Sequence, residues 1–269
     1  MNEKIKIVDT TLRDGEQRPD IAMKINDKIR LAQILDECGV YEIEAGTPCN
    51  GIEEEDYYLE LKKQVHNSKI SLWSRMVMKD IEKAISCRPD IIHIGVPVSY
   101  IQIYSKLNKN KTWVHRSIVD CIGMIKSEKI DFTVGFEDAS RADEGFLLET
   151  ARLVKENGGK TIRIADTVGV LTPSRTNSLI KTIIENVDIA IEFHGHNDLG
   201  MALANSIIGA RAGATLIDCT LMGIGERSGN CDILNFVEAS GRVFDLNIDR
   251  KKIVLAEEML REILSKDTK

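Results

Sequence analysis

The 269-residue chain lacks several features that would assign it to a common class of protein. No apolar run approaches the roughly 20 residues that a membrane-spanning helix needs, which excludes a helical membrane protein. No long basic run is present, and the formal net charge of -6 gives no electrostatic footprint for nucleic acid. The first residues lead directly into a strand pattern and do not resemble a signal peptide, so we expect a cytoplasmic protein.

The cysteines also lack the spacing that would suggest a disulfide framework or a zinc ribbon. The chain has six of them, and no two form a Cys-x-x-Cys pair. Scattered cysteines of this kind are typical of reduced, mostly buried thiols. Cys49 lies in a predicted loop and is expected to be exposed, but no histidine is placed near it by sequence, so we assign it no catalytic role.

Short β-branched runs alternate with longer amphipathic stretches from end to end. A helix that contains Ile29 and Ala32 is expected to end at Gly39, and another is expected to begin at Thr172-Pro173. Asn26 is the expected N-cap of the first helix. The predicted strands are 5–9, 40–45, 70–76, 91–96, 132–137, 161–166, 189–194 and 215–221.

Eight strands that each precede a helix predict parallel strands with crossover helices. Eight such units in a chain slightly longer than the roughly 250 residues of a typical (β/α)8 TIM barrel favour that barrel over an open doubly wound sheet. No Gly-x-Gly-x-x-Gly opens the first helix, which also argues against the open sheet. We therefore expect a single catalytic α/β barrel domain over residues 1–269, with its active site at the carboxyl ends of the strands.

The segment from 192 to 200 reads Glu-Phe-His-Gly-His-Asn-Asp-Leu-Gly and is the most informative part of the chain. His194 and His196 are two residues apart at the end of a predicted strand, so their side chains can face one point in space. Asp14, just after the first strand, could supply a carboxylate to the same metal ion. The alternative is a surface turn that happens to contain two histidines.

Other strand ends carry polar residues as well. Arg13 follows strand one and could neutralise a developing enolate or carboxylate, and Glu44 in strand two could pair with it. A salt bridge without a chemical role would explain this pair equally well. His93, alone in an apolar strand, is expected to be an interior residue, and the basic stretch 106–111 is expected to be a solvated loop.

Together these residues resemble the DRE-TIM metallolyases, which include isopropylmalate, citramalate and homocitrate synthases and 3-hydroxy-3-methylglutaryl-CoA lyase. The resemblance covers nearly the whole chain and rests on Asp-Thr-Thr-Leu-Arg-Asp-Gly-Glu-Gln at 9–17, Glu44, His-Gly-His-Asn-Asp at 194–198 and Gly-Glu-Arg-Ser-Gly-Asn at 225–230. Within the family, the segments 44–48, 73–75 and 135–143 are most similar to the homocitrate synthases of nitrogen fixation, which condense acetyl-CoA with 2-oxoglutarate.

The resemblance implies a role for each matching position. It makes Asp14, His194 and His196 the ligands of a divalent metal, for which Mg, Mn, Zn and Co all remain open. The catalytic residues it implies are Arg13, its acidic partner Glu44, and Glu192 for acid/base work. The implied substrate-binding residues are Gln17, Arg75, Glu137, Thr167 and Asn230.

Two departures from the family bear on substrate and partners. In lysine-pathway homocitrate synthases a histidine and an arginine grip the 2-oxoacid, whereas Val77 and Thr133 stand there in this chain, so Arg75 is a candidate for holding the distal carboxylate. The family's C-terminal subdomains, which supply acid/base residues, are expected to be absent. The chain therefore resembles the barrel subunit of a split, oligomeric synthase that needs a second subunit.

Other functions remain open at this stage. A synthase that uses another 2-oxoacid, or a metal-dependent aldolase or lyase, would have the same ligands. The loop 223–230 contains no cysteine, whereas the lyase members carry one there, which argues against the lyase. A noncatalytic barrel and an iron oxygenase with a two-histidine, one-carboxylate site are further alternatives.

Overall fold

Eight parallel strands close into a barrel within residues 3–19, 21–48 and 53–266, the parts of the chain that the computed structural model describes. Neighbours in chain order pair with one another, and the first strand also pairs with the last. The barrel strands are β1 (Lys6–Asp9), β2 (Glu42–Glu44), β3 (Lys69–Arg75), β4 (Ile91–Pro97), β5 (Asp131–Glu137), β6 (Thr161–Asp166), β7 (Ala190–Gly195) and β8 (Leu216–Cys219). The predicted (β/α)8 barrel is confirmed, and the open sheet is wrong.

Helices surround the barrel and connect successive strands. They are α1 (Ile25–Cys38), α2 (Glu53–Gln64), α3 (Met78–Ser86), α4 (Lys111–Ser127), α5 (Glu144–Glu156), α6 (Pro173–Asn186), α7 (Ala202–Ala212), α8 (Ile233–Ser240) and α9 (Arg250–Lys266). A short π-helix, Ile101–Lys106, lies between β4 and α4. Two short strands outside the barrel, Glu3–Lys4 and Phe244–Asp245, pair in parallel.

The helix ends show which local signals in the sequence were reliable. Gly39 ends α1 in the left-handed region with φ of 90°, and Thr172 precedes Pro173 at the start of α6, as predicted. The expected N-cap Asn26 is wrong, because α1 already begins at Ile25 and Lys24 occupies the capping position without a side-chain bond. Asn26 therefore lies inside the first turn.

Alternation along the strands separates an apolar outer face from a charged interior. On β6, Ile162 and Ile164 belong to the apolar core, while the intervening Arg163 points into the barrel and is only 2% exposed. On β7, Ile191 and Phe193 belong to the same core. Charged groups buried to this degree are costly unless they are paired. The barrel interior must therefore contain a network of matched charges.

The five cysteines within the described ranges are buried and form no disulfide, whereas Cys49 lies outside those ranges.

In residues 3–19, 21–48 and 53–266, none of the helices combines the length and the apolar character that crossing a lipid bilayer demands.

Candidate metal centre and substrate cavity

Asp14, His194 and His196 meet at the carboxyl end of the barrel. His194 belongs to β7, His196 follows that strand, and Asp14 comes from the loop after β1. The Nε2 atoms of the two histidines are 3.3 Å apart, and they lie 3.4 Å and 3.8 Å from Asp14 Oδ2. All three residues are buried, and their ligand atoms lie within 4.8 Å of one another.

This arrangement fits a divalent metal ion. Two imidazole nitrogens that face each other beside a carboxylate form a mixed nitrogen and oxygen donor set, and three protein ligands leave positions for a substrate. His196 Nδ1 is buried and has no hydrogen-bond partner among the described residues. The donor set does not select one metal, because imidazole and carboxylate ligands suit several divalent ions.

Neighbouring groups orient the ligands. Asp218 on β8 accepts a hydrogen bond from His194 Nδ1 at 3.0 Å, which directs the Nε2 atom of His194 towards the site. Asn230 Nδ2 donates to Asp14 Oδ1 at 2.9 Å. Gly225 makes this contact possible, because its φ of 157° favours glycine and a Cβ there would lie 2.1 Å from Asn230 Nδ2.

The three residues differ in the pKa values of their side chains. Burial opposes protonation of His194, but its hydrogen bonds to Asp14 and Asp218 outweigh burial and raise its pKa to about 9. Burial and the charge of His194 lower the pKa of His196 to about 4. Burial alone would raise the pKa of Asp14, yet Arg13 brings it well below its usual value.

Arg13 connects the metal ligands to the barrel interior. Its Nη1 donates to Asp14 Oδ2 at 2.9 Å, and its Nε donates to Glu44 Oε2 at 2.6 Å. Burial alone would raise the pKa of Glu44, but Arg13 and Arg163 outweigh this effect and lower it to about 2. Glu44 is therefore ionised, and it fixes the guanidinium of Arg13 beside the metal ligands.

Arg163 is the centre of the buried network beneath the site. It donates to Glu44 at 2.8 Å and to Glu192 at 2.5 Å, and it lies 3.0 Å from Asp218. Its remaining nitrogen, Nη2, is buried without a partner in the described part of the chain. Arg163 links Glu44, which positions Arg13, to Asp218, which positions His194.

A cavity of about 260 Å³ opens beside the metal ligands. Its wall includes the predicted residues Arg13, Gln17, Glu137 and Thr167. The other lining residues are Asp14, Trp73, His93, Gln102, Lys106, Gly135, Arg163, Ala165, His194, His196 and Glu226. Polar and charged groups of both signs predominate, so the cavity suits a small polar molecule.

Four of the predicted residues do not reach this wall. Glu44 and Asn230 lie behind it, where they hold Arg13 and Asp14. Glu192 is completely buried and contacts Arg163, so the structure does not bring it to the cavity, contrary to its expected acid/base role. Arg75 instead pairs with Asp80 at 2.5 Å and lines a separate apolar cavity next to the first.

Sequence reasoning missed several members of the site. Arg163 and Asp218 each lie between apolar neighbours in a predicted strand, and this was the only available signal. His93 is buried as expected, but it also lines the cavity, and burial lowers its pKa well below the usual value. Lys106, expected in a solvated loop, instead ends the π-helix and lines the cavity.

Comparisons with known proteins place the chain in a family. Residues 4–260 match the HMGL-like family. The chain belongs to that family. Its DRE-TIM character, predicted from the motifs, is thereby confirmed, and so is the expectation that the chain is an enzyme of the acyl-condensing class.

Individual relatives show which members of the HMGL-like family the chain resembles. The chain is 43% identical to homocitrate synthase subunit alpha of Clostridium pasteurianum, a match that covers 97% of this chain and 98% of that protein. It is 41% identical to 2-isopropylmalate synthase 2 of Caldanaerobacter subterraneus subsp. tengcongensis over 93% of this chain but only 66% of that protein. The crystal structure of hydroxymethylglutaryl-CoA lyase from Pseudomonas aeruginosa superimposes with a TM-score of 0.86 at 19% identity, over 98% of this chain and 94% of that one, which shows the shared fold.

Proposed function

We propose that this enzyme condenses acetyl-CoA with 2-oxoglutarate and that water then cleaves the thioester, which gives homocitrate and free CoA. The observation that carries the proposal is the buried Asp14, His194 and His196 cluster, with Arg13 fixed beside it, in a chain 43% identical to a homocitrate synthase subunit. The similarity of segments 44–48, 73–75 and 135–143 to homocitrate synthases of nitrogen fixation supports that physiological role for the product.

Asp14, His194 and His196 would hold the divalent metal, which when bound supplies Lewis-acid polarisation of a 2-oxoacid carbonyl. Arg13 presents its guanidinium to the cavity while Glu44 keeps it in place. It stabilises negative charge that develops on the substrate's carbonyl oxygen, without having to reorient during the reaction. Gln17 and Thr167 line the same cavity and orient the 2-oxoacid by hydrogen bonding.

The proton of the acetyl-CoA methyl group needs a base. Glu192, the carboxylate expected for this role, lies under Arg163 and away from the cavity wall. We therefore assign the base to a second subunit, and we assign to Glu192 the positioning of Arg163. The relative of matching length is itself named as subunit alpha, which supports a split enzyme in which this chain is the catalytic barrel and its partner carries the C-terminal subdomains.

A synthase that uses a different 2-oxoacid is the second candidate. The 41% identity to a 2-isopropylmalate synthase favours it, because that enzyme is nearly as similar as the homocitrate synthase subunit. Both candidates would use the same metal ligands and Arg13. They differ in the side chain of the 2-oxoacid that the cavity must bind.

One assay separates these possibilities. The purified chain, alone and together with its partner subunit, is incubated with Mn²⁺, acetyl-CoA and 2-oxoglutarate, pyruvate or 2-oxoisovalerate, and the products are identified by mass spectrometry. We expect homocitrate from 2-oxoglutarate when both subunits are present, and no product after chelation of the metal. Isopropylmalate or citramalate as the main product would favour the second candidate, and cleavage of 3-hydroxy-3-methylglutaryl-CoA without condensation would refute a synthase.

A further inference from the structure

Among the residues that the structure describes, three lysine or arginine side chains line the cavity, and two of them already have carboxylate partners. Arg13 pairs with Glu44 and Asp14, and Arg163 pairs with Glu44 and lies beside two further carboxylates. Each of these arginines is therefore held by the protein's own carboxylates. Because these carboxylates neutralise both guanidinium groups, neither arginine is suited to binding a second acidic group of the substrate.

Lys106 differs from the two arginines. It lines the cavity, but it forms no ion pair and no hydrogen bond within residues 3–19, 21–48 and 53–266. It ends the π-helix Ile101–Lys106, and short π-helical segments occur frequently at functional sites. This cation is thus available to a ligand in a cavity whose other strong cations are occupied.

The surroundings of Lys106 show where a ligand could extend. Lys106, Gln102, Trp73 and Glu137 line both the metal cavity and the adjacent apolar cavity, so they form the wall between the two. Gln102 Oε1 is buried and has no partner among the described residues. A side-chain amide can be turned over to present its NH₂ group, so Gln102 can donate a hydrogen bond to an anion at this wall.

We propose that Lys106 binds the distal carboxylate of a 2-oxo dicarboxylic acid and thereby sets the enzyme's preference for that class over monocarboxylic 2-oxoacids. This inference rests on the proposed condensation. The first carboxylate and the carbonyl of the substrate lie at the metal ligands and Arg13, the connecting methylene groups pass Trp73, and the second carboxylate reaches Lys106. A monocarboxylic 2-oxoacid would leave Lys106 unused.

Glu137 is compatible with an anion at this position. Burial raises the pKa of its carboxyl group, and the neighbouring Lys106 and Arg13 reduce this rise without cancelling it. A second carboxylate in the cavity would raise the pKa of Glu137 further. Uptake of a proton by Glu137 on substrate binding would let it donate a hydrogen bond to the second carboxylate.

Arg75, the residue expected from sequence to hold the distal carboxylate, is less suited to this role. Both Nε and Nη2 donate to Asp80, at 2.5 Å and 3.2 Å, and the side chain does not line the metal cavity. Asp80 is the first acidic residue of α3 and fixes the guanidinium over that helix. Binding a substrate would require Arg75 to leave this partner.

The test measures substrate preference in the complete enzyme. Lys106→Met removes the charge and keeps the length, and Lys106→Arg restores a cation. The ratio of kcat/KM for 2-oxoglutarate to kcat/KM for pyruvate is expected to fall about 10- to 100-fold in Lys106→Met, because a hydrogen bond between charged groups is lost. The loss should appear in KM for 2-oxoglutarate, and Lys106→Arg should recover most of it.

Lys109→Met is the matched control. Lys109 lies three residues after Lys106, with its Nζ 5.4 Å from the Trp113 ring centre, and it does not line the metal cavity. Its substitution should leave the substrate ratio unchanged. An equal loss for all 2-oxoacids in Lys106→Met, or no loss, would overturn the proposal, since either result means that Lys106 does not distinguish the substrates.

Two results separate this inference from the proposed function. If the wild-type enzyme condenses acetyl-CoA only with monocarboxylic 2-oxoacids, the synthase assignment stands and the role of Lys106 is refuted. If it neither turns over nor binds any 2-oxoacid in calorimetric titrations with Mn²⁺, the proposed function fails and the inference fails with it. Binding of 2-oxoglutarate that weakens in Lys106→Met and not in Lys109→Met supports the inference independently of turnover.

Discussion

At the scale of single residues, the site depends on side chains that never touch the substrate. Asp218 orients His194, Glu44 holds Arg13, and Arg163 contacts both carboxylates from below. Partners of this kind fix the tautomer and orientation of a ligand, and they are typically worth 10- to 100-fold in metal affinity. We therefore expect changes in the charge network beneath the site to alter metal affinity as well as stability.

Asp218→Asn tests this dependence. The amide cannot accept the Nδ1–H bond of His194 as strongly as the carboxylate does, so Mn²⁺ affinity in calorimetric titrations should fall about 10- to 100-fold. Asp188→Asn is the control, because Asp188 is fully exposed and pairs only with Lys155 among the described residues. Unchanged affinity in Asp218→Asn would mean that the orientation of His194 does not depend on this carboxylate.

Sequence patterns predicted the candidate metal ligands but not the network of side chains that supports them. His194 and His196 are visible because their spacing places them on one side of a strand end, and Asp14 is visible because a polar segment follows β1. Arg163 and its partner Glu44 are 119 residues apart, and the sequence around either residue does not predict that the two pair. Only the closure of the barrel brings them together, so such pairs cannot be predicted from local pattern.

At the scale of elements, the strands fix where the side chains of the site lie, and most of the polar side chains lie at the strand ends or in the segments that follow. All eight predicted strands exist because β-branched runs specify them well, and 161–166 matches β6 at both ends. The prediction for 40–45 was too long, since only Glu42–Glu44 pairs as a strand. The π-helix that carries Lys106 was missed, because six residues are too few to show a helical period.

Asp36 connects α1 to the segment that leads into β3. Its carboxylate accepts hydrogen bonds from the backbone N–H groups of His66, Asn67 and Ser68 at 3.1, 2.8 and 2.6 Å. Burial alone would raise the pKa of Asp36, but these three donors outweigh burial and hold it below its usual value. The ionised carboxylate therefore stabilises the junction between these elements.

Asp36→Asn should lower the free energy of unfolding by about 2 kcal/mol at pH 7, measured by urea denaturation. The pKa of Asp36 is lower in the folded state, so its contribution is complete above about pH 4 and is lost as the pH falls through the folded value. The difference in free energy of unfolding between wild type and Asp36→Asn should therefore shrink near pH 3.

The control is Glu37→Gln, at an exposed residue paired with Lys252, which should lower the free energy of unfolding by less than about 1 kcal/mol. An equal difference for Asp36→Asn at both pH values would contradict the assignment.

At the scale of the whole molecule, barrel closure assembles the site. The candidate metal ligands come from β7 and from the segments after β1 and β7, and β8 supplies the carboxylate that bonds to His194. β1 pairs with β8, and β8 pairs with β7, so these three strands are adjacent although they lie at opposite ends of the sequence. Metal affinity and the integrity of this closure should therefore be linked.

The most direct test measures metal content and condensation together in four forms of the enzyme. Wild type and His66→Ala, which alters an exposed histidine away from the site, should each retain one divalent ion and form product from acetyl-CoA and a 2-oxoacid. Asp14→Asn and His194→Ala should lose the ion and reduce condensation by about 100-fold or more. Normal condensation by either of these two variants would contradict a catalytic metal at Asp14, His194 and His196.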